Sequence, residues 1–160
     1  MNSYGTDEHI SRIVTEYSKM LFRIAFTVLH NGADAEDAVQ DVFIRLIDRQ
    51  PVFRDSEHEK AWLIRVTVNT SRNIRKKLAR SESEREIGVQ IARSDAESLL
   101  SAVLELPEKY STVLHLYYYE DLPIRDIASI LRLPAATVGT RLARGRAVLK
   151  EKLKGDGYFD

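Results

Sequence analysis

The sequence contains no cysteine, and this absence excludes several kinds of chemistry at once. Disulfide bonds, thiolate zinc sites and cysteine nucleophiles all require thiols. No apolar run approaches the roughly 18 residues that a membrane-spanning helix needs. The N-terminus also lacks the basic start and the apolar segment of a secretion signal, so we expect a cytoplasmic protein.

Glycine and proline are scarce, with 7 and 4 copies in 160 residues. Both residues disfavour helix interiors, so the long stretches without them favour helices. Alternation of apolar and polar residues, which would indicate strands, is not sustained anywhere in the chain. The composition therefore predicts an all-α fold.

The chain also lacks a net charge, because 24 basic side chains balance 24 acidic ones. A neutral total argues against nucleic-acid binding, since domains that bind nucleic acids are usually basic. The charges are nevertheless segregated along the chain. Residues 61–80 hold six basic and no acidic side chains, and residues 122–154 hold eight basic and two acidic ones. Neutrality thus conceals two strongly basic segments.

Apolar periodicity predicts two small helical domains, residues 8–80 and 97–154, joined by a flexible polar linker at 81–96. Each basic segment falls on the last long helix of its domain. In the first domain Asn31-Gly32 is expected to end the first helix, and Asp34 to act as the N-cap of the second.

The last two predicted helices are typical of a helix-turn-helix. A short amphipathic helix, Ile124–Leu131, is followed by a tight connection and by a longer helix whose apolar stripe can pack on the first. The longer helix leaves a polar, cationic face free, formed by Thr137, Thr140, Arg141 and Arg144. Arginine can bond guanine or phosphate, so this face suits duplex DNA. The alternative is a solvated basic face on an ordinary helix.

The helix predicted over 59–80 carries a second cationic stripe opposite its apolar side. Its members are Arg65, Asn69, Arg72, Asn73 and Lys76. Cations interleaved with amides suit a phosphate backbone and exposed base edges, although a solvated face is an equal alternative. Trp62 could stack on an unpaired base, but its helical spacing favours a core position.

The acidic turn that opens at Asp34 has three interpretations. Carboxylates stabilise a helix N-terminus, and spacing alone favours this explanation. A metal site would need more converging oxygen ligands than the turn supplies. An exposed acidic and apolar face could instead dock a basic partner helix.

The motifs of catalysis and cofactor binding are missing. There is no glycine-rich phosphate loop, and the four histidines lack the spacing of metal ligands. No nucleophile, base and orienting group stand out together. We therefore expect a protein that is not an enzyme, with no cofactor, no metal and no small-molecule substrate.

Several stretches, taken in chain order, resemble the sigma-70 family of bacterial RNA polymerase initiation factors, and its small extracytoplasmic-function type in particular. Residues 34–43 (DAEDAVQDVF) are similar to the family's core-binding region 2.2. Residues 61–69 (AWLIRVTVN) are similar to the segment that reads and opens the −10 element. Residues 106–110 (LPEKY) and 137–146 (TVGTRLARGR) are similar to region 4, which reads the −35 element.

The resemblance implies a function for each surface. It implies that the −35 element is read by Thr137, Thr140, Arg141 and Arg144. It implies that the −10 element is read by Arg65, Asn69, Arg72, Asn73 and Lys76. The loop at 50–57 is similar to the one that captures a flipped −10 base. Three positions match those that dock on the polymerase clamp helices, and two more extend that face: Asp37, Gln40, Asp41, Ile44 and Arg45.

The implied function is transcription initiation: the protein would bind core RNA polymerase through its clamp helices and flap, and direct it to promoter DNA. An anti-sigma factor is an expected further partner, and the free protein is expected to be a monomer. Departures from the family at Arg132, Pro134 and Gly139 bear on the promoter sequence rather than on this function. The main alternative is a stand-alone helix-turn-helix regulator with a helical sensor or dimerisation domain. A helical scaffold without a DNA function is the other.

Overall fold

The computed structural model describes residues 7–81 and 95–155, and within these ranges the chain is helical with no strand. The predicted all-α fold is therefore confirmed. The helices are α1 (Asp7–Leu29), α2 (Gly32–Arg49), α3 (Ser56–Ser81), α4 (Asp95–Leu104), α5 (Glu108–Tyr118), α6 (Ile124–Leu131) and α7 (Ala135–Gly155). Most of the predicted linker, residues 82–94, lies outside the described residues.

The first three helices pack around an apolar core of their own. Its fully buried members include Ile13, Leu21, Val42 and Leu63. Trp62 is partly buried and packs against this cluster, in agreement with the expected core position. Its ring contacts Phe53 of the loop before α3, with the ring centroids 5.8 Å apart. The loop at 50–55 is thereby fixed to the three-helix core.

The reversal between α1 and α2 corrects one prediction. The N-cap of α2 is Asn31, whose side-chain oxygen accepts a hydrogen bond from the Asp34 amide at 3.0 Å. Asp34 was expected in that position, but it lies in the first turn, where a carboxylate also suits the helix dipole. Helix α1 ends at Leu29, and His30 adopts a left-handed conformation with φ of 52°. Gly32 therefore begins α2 rather than ending α1.

The last four helices form the second half of the molecule, and α5 contacts each of the other three. The connection between α6 and α7 passes through Arg132, which is left-handed at φ 56° and ψ 48°. A residue with a Cβ in this conformation costs about 1 kcal/mol. The predicted apolar stripe of α7 is buried, with Val138, Leu142 and Gly145 among its members. The helix-turn-helix arrangement is therefore present.

The two halves share an apolar core. Ile24, Ile64 and Val68 from α1 and α3 belong to the same buried cluster as Leu106 and Val113 from the second half. The buried hydroxyls of Thr27 and Thr112 lie 2.8 Å apart, which joins α1 to α5. The ring nitrogen Nε2 of His30 lies 2.7 Å from the Leu106 carbonyl oxygen. The halves are therefore in direct, closely packed contact.

Candidate nucleic-acid and protein interfaces

The four −35 candidates lie on one face of α7. Thr137, Thr140, Arg141 and Arg144 all line a single polar cleft. Thr140 and Arg144 are exposed, whereas Thr137 and Arg141 are half-buried. This face points away from the protein because the opposite side of α7 carries the buried apolar residues. The cleft therefore presents hydroxyl and guanidinium donors together, a set that can bond base edges and phosphates.

Two further residues of this cleft come from α5 and were missed by the sequence reasoning. Lys109 and Tyr110 line it beside the α7 residues, and the Lys109 ammonium lies 5.0 Å from the Tyr110 ring centroid. Helix α5 reaches the cleft because it crosses α7 at Gly145. A Cβ at Gly145 would lie 3.0 Å from a Leu114 methyl group and 3.2 Å from the Tyr110 Cβ. Nothing in the local pattern around Lys109 indicates this crossing.

The −10 candidates on α3 lie in two different environments. Asn69, Asn73 and Lys76 are exposed. Arg65 and Arg72 are half-buried, and both reach across to the second half of the molecule. The cationic stripe is therefore open on one side and covered on the other.

Glu108, the first residue of α5, is the centre of the covered side. Its carboxylate accepts a hydrogen bond from Arg72 Nε at 2.7 Å and pairs with Arg75 through its second oxygen. Burial alone would raise the pKa of the Glu108 carboxyl, but the hydrogen bonds from Arg72 and Arg75 outweigh it and the pKa is lowered. One carboxylate thus engages two cations of the stripe.

Arg65 lies in an acidic groove between α3 and α6. Its Nη2 is 3.5 Å from the Ser129 carbonyl oxygen, and its buried Nε has no hydrogen-bond partner among the described residues. The Nζ atom of Lys60, on the same helix, lies 3.6 Å from Glu120 Oε1 and donates a hydrogen bond to the Glu120 carbonyl oxygen at 3.1 Å. Asp126 also lines the groove. Acidic and carbonyl groups of the second half thus surround this end of the stripe.

The polymerase candidates on α2 face outward together. Asp37, Gln40 and Asp41 are exposed, and Arg45 is half-buried. Ile44 is 55% exposed. Ile47, one turn further on, is 48% exposed and belongs to the same face. Within residues 7–81 and 95–155, no ion pair involves Asp37 or Asp41. This face combines free carboxylates with apolar side chains and is open to a partner.

Other kinds of site are not evident within the part of the chain that the structure describes. No group of three His, Asp or Glu side chains could hold a metal ion there. No described helix is both long and apolar enough to cross a membrane.

Comparison with known proteins gives the same order of motifs. Residues 13–81 match the Sigma-70 region 2 family, and residues 96–149 match Sigma-70, region 4. The chain is 28% identical to the ECF RNA polymerase sigma factor SigW of Bacillus subtilis, across 94% of this chain and 91% of that protein. It is 25% identical to the RNA polymerase sigma-H factor of Pseudomonas aeruginosa, across 94% and 89% respectively.

A solved structure has a similar fold. The sigma factor RpoE from Bartonella quintana, crystallised with the anti-sigma factor NepR, superimposes with a TM-score of 0.72. The superposition covers 90% of this chain and 96% of that one, at 23% sequence identity.

Proposed function

The chain belongs to the sigma-70 family, as a transcription initiation factor of the extracytoplasmic-function type that directs RNA polymerase to promoters, and on this premise we propose which surfaces carry out each step. The proposed division assigns residues 8–80 to region 2, 81–96 to a linker and 97–154 to region 4. Region 2 binds core polymerase and the −10 element, and region 4 binds the −35 element.

Reading of the −35 element is assigned to the cleft on α7. Thr137, Thr140, Arg141 and Arg144 contact base edges and phosphates in the major groove, as the second helix of a helix-turn-helix does. Lys109 adds a phosphate contact from α5, since it lines the same cleft. The exposure of this grouped cationic face is the observation that carries the proposal.

Reading of the −10 element is assigned to α3. Asn69, Asn73 and Lys76 are exposed and ready to contact an unpaired strand, and Arg65 and Arg72 complete the stripe once they are released. The loop at 50–55, together with the first turn of α3, lies beside this surface through the contact of Phe53 with Trp62. A captured base would be held at this loop.

Docking on core polymerase is assigned to the outer face of α2. The residues concerned are Asp37, Gln40, Asp41, Ile44 and Arg45. Carboxylates next to exposed apolar side chains suit a basic, amphipathic partner helix, which is the chemistry expected of the clamp helices. The polymerase flap would bind region 4.

An anti-sigma factor is the proposed inhibitor, and the free protein is proposed to be a cytoplasmic monomer. An apolar groove of about 700 Å³ supports the existence of a partner that contacts both halves. Phe22 and Phe43 line the groove from the first half, and Leu100 and Leu104 line it from the second. An amphipathic helix of the inhibitor would fill this groove.

The test is transcription from the region upstream of the protein's own gene, with core polymerase and the purified chain. Wild type should initiate transcription, and Asp41→Ala should lower the yield about tenfold at limiting concentration, because a free carboxylate at the centre of an interface is lost. Glu151→Ala is the matched control, since Glu151 is also an exposed carboxylate but lies on α7 and not on the α2 face.

Two results would contradict the proposal. A well-folded protein that never supports initiation would exclude the assigned function on this promoter region. Tight, polymerase-independent binding to an operator by a dimer would instead favour the stand-alone helix-turn-helix regulator.

A further inference from the structure

Arg132, in the turn between α6 and α7, has a left-handed backbone that a residue with a Cβ adopts only with strain. It follows the last residue of α6, at φ 56° and ψ 48°. Its own amide and that of Leu133 both donate to the Ala128 carbonyl oxygen, a pattern that requires this conformation from whichever residue occupies the position. Glycine would adopt it without steric cost, so the arginine side chain is present in spite of the backbone.

The strain at Arg132 is not offset by contacts of its side chain. His30, which is also left-handed, has its ring nitrogen 2.7 Å from the Leu106 carbonyl oxygen. Asp121 is left-handed too, but a short polar side chain of this type tolerates the conformation. The Arg132 guanidinium, by contrast, is exposed and makes no hydrogen bond or ion pair within residues 7–81 and 95–155. Strain that persists without such compensation is typical of residues that serve a function.

The place of Arg132 in the helix-turn-helix puts it beside the DNA backbone. In such a motif the first helix crosses the phosphate backbone, and the N-terminal residues of the second helix contact base edges in the major groove. Arg132 lies between the two, because α6 ends at Leu131 and α7 begins at Ala135. Ala136 and Thr137 line the near end of the −35 cleft, and the small side chains of Ala135 and Ala136 are exposed. The approach from this turn to bound DNA is therefore open.

We propose that Arg132 is a further DNA contact of region 4, and that its guanidinium binds a backbone phosphate at the edge of the −35 major groove. This inference rests on the proposed function of the α7 cleft and adds a residue to it. A guanidinium suits this ligand because it is always charged and can bond two phosphate oxygens at once. A phosphate contact carries no sequence information, so Arg132 strengthens binding and positions α7, whereas Thr140 and Arg144 read the bases.

The salt dependence of DNA binding by the full chain tests this contact. One probe is a duplex from the region upstream of the protein's own gene, and the other is an unrelated duplex of equal length. Arg132→Gly should weaken binding to both duplexes about fivefold at low salt. The slope of log affinity against log salt should also decrease by about one, because one phosphate contact is lost. Arg132→Lys keeps the charge and should stay within about twofold of wild type.

Two further variants serve as controls for this measurement. Lys154→Gln removes an exposed cation near the end of α7, about 28 Å from Ala135 at about 1.5 Å per residue. It should leave the affinity within about twofold of wild type. Arg144→Ala should weaken binding to the upstream duplex more than binding to the unrelated one, because a base contact depends on sequence.

Urea unfolding separates a DNA contact from a structural role. Because glycine relieves the left-handed strain, Arg132→Gly should raise the urea midpoint by about 0.5 M although it binds DNA more weakly. A residue that only stabilised the turn would lose stability and DNA affinity together. A lower midpoint for Arg132→Gly would therefore overturn the inference.

The binding outcomes distinguish this inference from the proposed function. If wild type prefers the upstream duplex and Arg132→Gly binds equally well, the phosphate contact is overturned and −35 reading is left intact. Weakening confined to the upstream duplex would overturn the phosphate as the ligand, and an equal loss in Lys154→Gln would reduce the effect to net charge. A folded wild type without preference for the upstream duplex would count against the proposed function of the cleft itself.

Discussion

The two cationic helices, α3 and α7, have similar charge patterns but different exposure. Residues 61–80 of α3 hold six basic side chains and no acidic one, and residues 122–154, which include α7, hold eight basic and two acidic ones. Nevertheless, Arg144 on α7 is exposed, whereas Arg72 on α3 is half-buried and bonded to Glu108. Charge patterning therefore locates potential DNA surfaces, but tertiary packing decides which of them is available.

Helix α5 accounts for the difference because it packs against α7 and its first residue, Glu108, reaches Arg72 on α3. At its first residue, Glu108 supplies a carboxylate to α3. Further along the same helix, Lys109 and Leu114 face α7, the first as an added cation and the second as a packing surface. One helix therefore covers one DNA surface while it supports the other.

The largest expected effect concerns the close packing of α7 against α5. Gly145→Val should lower the free energy of unfolding by roughly 2 kcal/mol, because its Cβ would lie 3.0 Å from a Leu114 methyl group and 3.2 Å from the Tyr110 Cβ. Gly139→Val is the control on the same helix, since nothing lies within 4 Å of a Cβ there. It should change stability by less than about 0.5 kcal/mol. Urea unfolding measures both values, and equal losses would contradict the close approach of α5.

The second prediction separates the two DNA surfaces in the free protein. Arg144→Ala should weaken binding to a duplex carrying the −35 element about tenfold, since a good arginine contact to a base contributes about 1–3 kcal/mol. Arg72→Ala should leave this affinity within about twofold, because its guanidinium is bonded to Glu108 rather than placed in the cleft. Fluorescence anisotropy at low salt measures both constants. Equal weakening by the two variants would remove the distinction between α3 and α7.

Local signals sufficed for the helices and for the outward faces. Apolar stripes and prolines predicted α6 over 124–131 as observed, and predicted the buried side of α7 and its cationic face. The prediction of the α2 N-cap was wrong because Asn31 and Asp34 are both suited to that position. The observed backbone conformation, in which α2 begins at Gly32, makes Asn31 the N-cap.

Long-range pairing could not be predicted from one sequence. Glu108 and Arg72 are 36 residues apart, and no periodicity relates them. Lys109 likewise joins the α7 cleft only because α5 crosses α7 at Gly145. The sequence thus indicates which faces are cationic, whereas the partners of each cation follow from helix packing.

The smallest expected effect concerns the pH dependence of the Glu108 contact, and it tests the covered surface directly. Because Arg72 and Arg75 hold the pKa of this carboxyl below its ordinary value of 4.5, protonation in the unfolded chain occurs at higher pH than in the folded one. The stabilisation that the Glu108 contacts give to the folded protein is therefore complete above about pH 4.5, and it is lost as the pH falls through the lowered pKa of the folded state.

Unfolding free energies of wild type and Glu108→Gln should differ by about 1 kcal/mol at pH 7, since ion pairs near the surface contribute about this much. The difference should shrink steadily below pH 4.5, whereas Glu151→Gln should match wild type throughout. A difference that stays constant down to pH 3 would show that the Glu108 charge is not what holds α3 to α5.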